Sequence, residues 1–429
     1  YEFTADICNS ENTYSWNFGD TLSGINNVST SNPATHIFSN DGTYIVSLVV
    51  TDVCGNTSFK TDTIEINCPA FVCECPSGSS EVELQSGQIT DLIDNPSITS
   101  FQNKCIKING KVVINKDFAF VTCRVLMEPG AEIEVKTGKT FSASYSHFLG
   151  CTNMWKSITV LSGAKVNLHF DTIQDAEFGL HAFGGSTIKL QFNRFYLNYV
   201  GVFADGGSIN QIAPMLGNRF YTNGSFLPTY TGQTNSPGAY GYCGVLVKNA
   251  VFSVGALTSS APNYFYDLYN GIIGINSDLT ATKANIHDLI TIRSRLQPAR
   301  KFSNADGDGI FTNNSTLTAL SNTISVTNGA ITDYQGKSLI AYDNNISNTV
   351  SGIYCAFPKI ECYMDKNQIT NYYLYGIGVS APQSKIALMI TRTDTFSSST
   401  SSSLSGGSTA IYLENVVASN LAQVQGNKM

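Results

Sequence analysis

The sequence is poor in charge. Lys and Arg number 25 and Asp and Glu 32 among 429 residues, 13% in all, for a net charge of −7. That is about half the charged share of an ordinary soluble domain. Lys and Arg nowhere gather into the basic stripe that nucleic-acid binding needs, so that class is excluded. No run of about 18 apolar residues occurs, and no membrane-spanning helix is expected. Helical periodicity is missing as well, which points away from bundles and α/β folds. The chain opens Tyr1-Glu2-Phe3, without Met and without a charged-then-apolar leader, and reads as a mature or excised piece of something longer. The apolar share of 42% can fill a large core, which leaves solubility to Asn, Ser, Thr and Gly.

Cysteine, by contrast, is abundant. It stands at Cys8, Cys54, Cys68, Cys73, Cys75, Cys105, Cys123, Cys151, Cys243, Cys355 and Cys362, a number and scatter that point to an oxidising compartment. Cys68, Cys73 and Cys75 run C-x4-C-x-C with no second pair of matching spacing, so a zinc site is not expected. Cys243 reads as a buried thiol, and the odd total leaves at least one cysteine unpaired within the segment.

Residues 1–67 read as a small β-sandwich. Tyr44, Val46, Leu48 and Val50 alternate with Ile45, Ser47, Val49 and Thr51, Asp41-Gly42 supplies the turn before them, and a second alternating strand runs from Thr61 to Ile66. The segment Trp16-Asn17-Phe18-Gly19-Asp20, followed by His36-Ile37-Phe38 and Gly42-Thr43-Tyr44-Ile45-Val46, resembles the PKD family of immunoglobulin-like modules. One departure from the family follows its W-x-F-G-D turn, at Thr21, where a second Gly is usual. The resemblance implies an extracellular spacer or adhesion unit. Asp20 is expected to cap its own turn, with a calcium ligand as the alternative. Cys8 and Cys54 close the ends of two strands, and a bond between them would be worth about 3 to 4 kcal/mol.

Residues 68–80, rich in Cys, Pro, Gly and Ser, mark a linker. Beyond it, over 81–429, a Gly followed by an apolar residue recurs at Gly179, Gly201, Gly244, Gly271, Gly309, Gly329, Gly352 and Gly376, with gaps of 22, 23 and 24 residues among them and wider ones that mark extra coils or loops. An Asn with a large apolar residue two positions on precedes several of them: Asn193 and Phe195, Asn218 and Phe220, Asn263 and Phe265, Asn367 and Ile369. A unit of brief strands this short buries its apolar face only by stacking on copies of itself, which predicts a right-handed parallel β-helix of some thirteen coils. The stretch Phe226 to Tyr242 reads as a loop thrown out at one corner. Trp155-Lys156-Ser157-Ile158-Thr159-Val160 with Ile173-Gln174-Asp175-Ala176-Glu177-Phe178-Gly179-Leu180 resembles the W-K-G-I-x-V … I-x-D-A-x-x-G-I signature of parallel β-helix repeat proteins. Such repeats accompany PKD modules in large bacterial surface proteins that use type IX secretion, and Ser157 replaces the family's common Gly. The fold class expected is therefore all-β.

The strongest chemical candidate is Asn304-Ala305-Asp306-Gly307-Asp308-Gly309 beside Arg293, Arg295, Arg300 and Lys301. Arg293, Arg295, Asp306 and Asp308 are candidate binding residues, and Asn304, Asp306 and Asp308 offer oxygen ligands suited to calcium. The segment is faintly similar to the N-x-D of the polygalacturonase family, whose second Asp pair, G-H-G and R-I-K are missing, and it serves equally as a corner turn feeding the next strand. His169 and His181 read as surface residues. Cys355 with Cys362, and Cys123 with Cys151, are further expected disulfides. Asp-Thr-Ile or Asp-Thr-Leu triplets begin at Asp20, Asp62 and Asp171 and resemble bacterial O-glycosylation acceptors. The expectation is a non-catalytic, cofactor-free structural or adhesive protein of a bacterial surface, neither an enzyme nor a membrane protein, partnered by copies of itself, other surface proteins or glycans. The alternative is a carbohydrate-active β-helix, a lyase or hydrolase, or a glycan-binding module. A third is a trimeric, tailspike-like receptor-binding tip.

Overall fold

The structure, a computed structural model, describes the chain except residues 1, 6–11, 21–22, 24–26, 37, 39–41, 67–72, 94, 290–306, 382–384, 393, 397–408 and 426–429. It divides into two compact units, Tyr1–Val72 and Cys73–Met429.

The first unit is an antiparallel sandwich. Thr13–Asn17 pairs with Gly42–Thr51, which pairs in turn with Thr57–Ile66. Trp16, Phe18, Ala34 and Val46 form its core, with Phe3, Tyr14, Phe38 and Leu48 packed around them. Gly19 must be glycine: its φ is +71°, and an added Cβ would lie 2.5 Å from the Ile45 carbonyl oxygen. Asp20 is buried and faces His36 Nε2 at 3.1 Å, while His36 stacks on Phe18. Asp20 thus ties the W-x-F-G-D turn to the H-x-F strand. Cys54 carries an exposed free thiol. Cys8 lies outside the described residues, so the expected bond between them is not seen.

The second unit is a parallel β-solenoid of about thirteen coils. Each coil contributes a strand to three faces. One face stacks Lys104–Ile108, Arg124–Met127, His147–Gly150, Thr172–Gln174, Arg194–Tyr196, Arg219–Tyr221, Asn263–Tyr266 and Ala284–Ile286, and is called face A. Face B stacks Lys111–Ile114, Glu132–Val135, Trp155–Val160, Ala176–Phe183, Val200–Ser208, the start of Cys243–Val254, Asn270–Ile275 and Asp308–Asn313. Face C includes Phe118–Val121, Thr140–Ser144, Lys165–His169 and Thr187–Gln191, and later Thr316–Leu320, Ser338–Tyr342 and Glu361–Asp365. Strand alternation sends every second side chain inward, where like stacks on like: the rings of Phe195, Phe220 and Phe265 sit 4.8 Å apart in succession.

The recurrent Gly and Asn are explained by the corners between faces. A Cβ on Gly201 would lie 2.4 Å from the Phe220 ring and 2.6 Å from the Gly244 carbonyl oxygen, so the column of glycines lets the chain close over the Phe stack. The Asn residues form buried amide ladders. Asn193 N–H donates to Asn218 Oδ1, and Asn218 N–H to Asn263 Oδ1, while each Nδ2 also donates to a backbone carbonyl of the preceding coil. A second ladder joins Asn322, Asn344 and Asn367. The left-handed residue at these corners is commonly the one before the Asn, as at Phe192, Ser321, Asp343 and Lys366. The ladder Asn instead satisfies buried backbone groups that the turn leaves unpaired.

Disulfides fasten the first coils. Cys73 bonds Cys151 and Cys75 bonds Cys105, so the Cys-rich segment expected to be a linker is in part stitched to face A. Cys151 therefore does not pair with Cys123, whose thiol is buried and donates toward the Phe101 and Val121 carbonyls. Cys355 is bonded to Cys362. Cys243 is a fully buried free thiol, pushed well above its ordinary pKa by that burial.

Candidate active site and comparisons

Side chains on the outward phase of faces A, B and C decide what the solenoid can do. On face B the register aligns Glu132 with Ser157 and Phe178, and Glu134 with Thr159, His181 and Phe203. Gly179 is the extra residue of a bulge between Ser157 and Ile158, and bulges re-aim side chains. Lys156, just before the bulge, reaches outward, and Glu177 on the next coil is on the same face but buried beneath a loop. The result is a polar cluster on one sheet face.

Glu132 is buried and accepts from Lys156 Nζ at 2.9 Å and Thr159 Oγ1 at 2.7 Å. Ser157 and Thr159 share a 2.6 Å hydroxyl contact. Glu177, two coils from Glu132, is held by the loop anticipated at Phe226 to Tyr242. Its carboxylate accepts from the Tyr230 hydroxyl, from Thr234 Oγ1 at 3.1 Å, and from Asn235 N and Nδ2. Burial, with the Glu177 carboxylate beside it, holds the Tyr230 phenol above its usual pKa. Next in the row, His181 Nε2 lies 3.5 Å from Asp205 Oδ2. Burial among Phe178, Phe183 and Phe203 pushes the His181 pKa down despite Asp205, so the ring is neutral at pH 7. Carboxylates, a neutral imidazole, an ammonium and a phenol thus share one partly dry surface, the inventory of proton-transfer chemistry.

The residues singled out in the sequence lie elsewhere. Arg293, Arg295, Arg300, Lys301, Asn304 and Asp306 fall outside the described residues. Asp308 is fully buried on face B and accepts from Thr332 Oγ1 at 2.8 Å, so its carboxylate does not line an open groove. Among the described residues no group of three or more His, Cys, Asp or Glu is placed to hold a metal. His169 does lie on the outer side of face C, at a shallow concavity of about 380 Å³ shared with Ser142, Asn167 and Lys189. It lacks any carboxylate and so offers contact without proton transfer. Glu132, Glu177 and Asp205 were not singled out in the sequence. Alternation alone turns Glu132 outward, but the tether of Glu177 to a loop more than 50 residues on leaves no local trace.

Residues 2–68 match the PKD domain family, and the first unit is a PKD domain. Together with the disulfides it is consistent with an extracellular protein. No helix among the described residues is long and apolar enough to cross a membrane. No curated protein matches the chain in sequence. Three solved structures are similar, all catalytic parts of GH87 α-1,3-glucanases. One is the catalytic unit of the thermostable enzyme from Streptomyces thermodiastaticus strain HF3-3, 10% identical, covering 100% of this chain and 86% of that one with a TM-score of 0.42. The others are catalytic domains in complex with tetrasaccharides and with nigerose, 12% and 11% identical, each covering 99% of this chain and 88% of its own, with TM-scores of 0.28 and 0.31. The expectation of a non-catalytic structural or adhesive protein is corrected by these findings, since the structures found are those of glycan-cleaving enzymes. Likeness of this extent concerns fold alone, and the choice of chemistry rests on the side chains of faces A and B.

Proposed function

We propose that the second unit is a carbohydrate-active β-solenoid that cleaves a glycan at the Glu132–Glu177 cluster on face B. The observation that carries this reading is the presence of two carboxylates on one sheet face, on either side of Lys156 and beneath a single loop. They stand two coils apart, about 10 Å along the stack at the usual strand spacing. A separation of this order leaves room for a water between carboxylate and sugar, the arrangement of an inverting hydrolase. In this reading Glu132, held by Lys156 and Thr159, takes the proton of the attacking water. Glu177, freed of Tyr230 as a sugar enters under the loop, carries the proton given to the leaving oxygen. The neutral His181 and the rings of Phe178 and Phe203 border the sugar's path. We place the protein outside a bacterial cell and in the type IX context that the β-helix signature implies.

The test is product analysis after incubation with a panel of α- and β-linked polysaccharides, following the first-formed anomer by NMR. Inversion is expected, with Glu132→Gln and Glu177→Gln each lowering kcat by about a hundredfold or more. Cleavage that both variants leave intact would sink the assignment, as would failure of the wild-type protein to cleave any member of the panel.

A further inference from the structure

On face A the outward side chains form a different surface. Tyr196, Tyr221, Tyr266 and His287 stack ring on ring at 4.8, 5.0 and 5.2 Å. Beside them the register sets Arg194 directly against Arg219, and Arg219 against Tyr264. Both arginines are exposed, and neither makes an ion pair or a side-chain hydrogen bond among the described residues. The Arg219 guanidinium lies over the Tyr264 ring at 5.7 Å.

Two like charges directly opposite on neighbouring strands repel each other. In a chain of net charge −7, a pair kept together without a carboxylate between them is an electrostatic opening for an anion. The rings narrow the choice of ligand. Because they stack on one another, their faces are occupied and cannot receive a sugar ring; what they turn outward is edges and hydroxyls. Tyr196 spends its hydroxyl on the Asn223 carbonyl at 2.9 Å. The Tyr221 and Tyr266 hydroxyls have no partner among the described residues, and burial keeps both phenols protonated and able to donate. The surface is thus a row of donors with two guanidiniums, repeated at the coil spacing of about 4.8 Å. It is bounded on one side by His147, which is bonded to Gln174 and kept neutral mainly by burial, and on the other by Asp267 and Asp288.

We propose that this tract of face A is a binding site for an acidic polysaccharide, whose carboxylate or sulfate groups bridge Arg194 and Arg219 and accept from Tyr221 and Tyr266. A repeating polymer suits a repeating surface, and forked guanidinium donors suit planar oxyanions. The inference rests on the carbohydrate reading of the preceding subsection but on different residues and a different face.

The experiment is titration of the full chain with polygalacturonate, dextran sulfate and uncharged dextran at low and moderate salt. Both acidic polymers, or one of them, are expected to bind, with affinity falling as salt rises; which one binds assigns the group as carboxylate or sulfate. The double variant Arg194→Gln/Arg219→Gln should weaken that binding about tenfold or more and flatten its salt dependence, while Arg194→Lys/Arg219→Lys recovers part of it. Matched thermal melts verify folding, which exposed side chains should not disturb. Failure of both acidic polymers to bind, equal binding of dextran, or indifference to the double Gln variant would overturn the proposal. Binding that depends on the arginines in a protein that cleaves nothing would defeat the catalytic reading alone. Cleavage lost in Glu132→Gln with binding that ignores the arginines would defeat this one alone.

Discussion

Asp333 shows what a single ionisable residue does inside the solenoid. It stands on the inward phase of a face B strand, accepts from Thr312 Oγ1 at 2.7 Å, and has the Cys355 sulfur 3.8 Å away. Burial pushes its pKa up to about 7. The folded chain therefore holds a proton that the unfolded chain has released above about pH 4, and stability falls as pH rises from there to about 7. The shift corresponds to at most about 4 kcal/mol at neutral pH. Asp333→Asn should leave stability at pH 4 nearly unchanged and raise it at pH 8; denaturant melts that stay parallel to wild type across that range would contradict this. Asp171 and Asp175, also raised to about 7 by burial, act in the same direction. His147 and His181, lowered by burial, act in the opposite one, losing stability as pH drops below about 6.5. A single-site variant separates these opposing contributions.

At the scale of the element, the strands and corners were legible in the sequence and the chemistry was not. Gly201 and Gly244 announced a corner because close approach over a ring admits nothing larger, and Asn193 and Asn218 announced the ladder because a buried turn needs an amide. Both demands are local and repeat with every coil. Glu177 and Tyr230 meet only because a long loop folds back over face B, a contact that no spacing along one strand reveals; Arg194 meets Arg219 through the same repeat that aligns Asn193 with Asn218, yet nothing in that repeat marks the pair as a site. A contact across 78 residues likewise joins Cys73 to Cys151, which the sequence reading pairs with Cys123. Closing loops of 78 and 30 residues, the two N-terminal bonds are each worth about 4 kcal/mol on the chain-entropy account. Replacing Cys73 and Cys75 by Ser should speed amide exchange in Lys104–Ile108 and Arg124–Met127 far more than in Ser338–Tyr342. Uniform exchange along the solenoid would show that the bonds stabilise no particular coil.

At the scale of the whole second unit, three faces built from one repeat present different surfaces. Inward positions are nearly uniform in their apolar character, whereas outward positions change from the acids and rings of face B to the arginines and phenols of face A. Substitutions outside leave the core pattern untouched, so one architecture can present unrelated surfaces without a change of fold. Most backbone hydrogen bonds run between a strand and its counterpart one coil away, and this makes the unit a ladder in which coils depend mainly on their immediate neighbours.

A ladder of that kind has a mechanical signature when its ends are pulled. Coils of 22 to 25 residues, the offsets between many partner strands, should come away one or a few at a time, each releasing about 70 to 90 Å of contour length. The segment closed between Cys73 and Cys151 cannot pay out while its bond is intact. A force–extension trace should therefore fall short by roughly 250 Å, length that reappears only when a reductant is added.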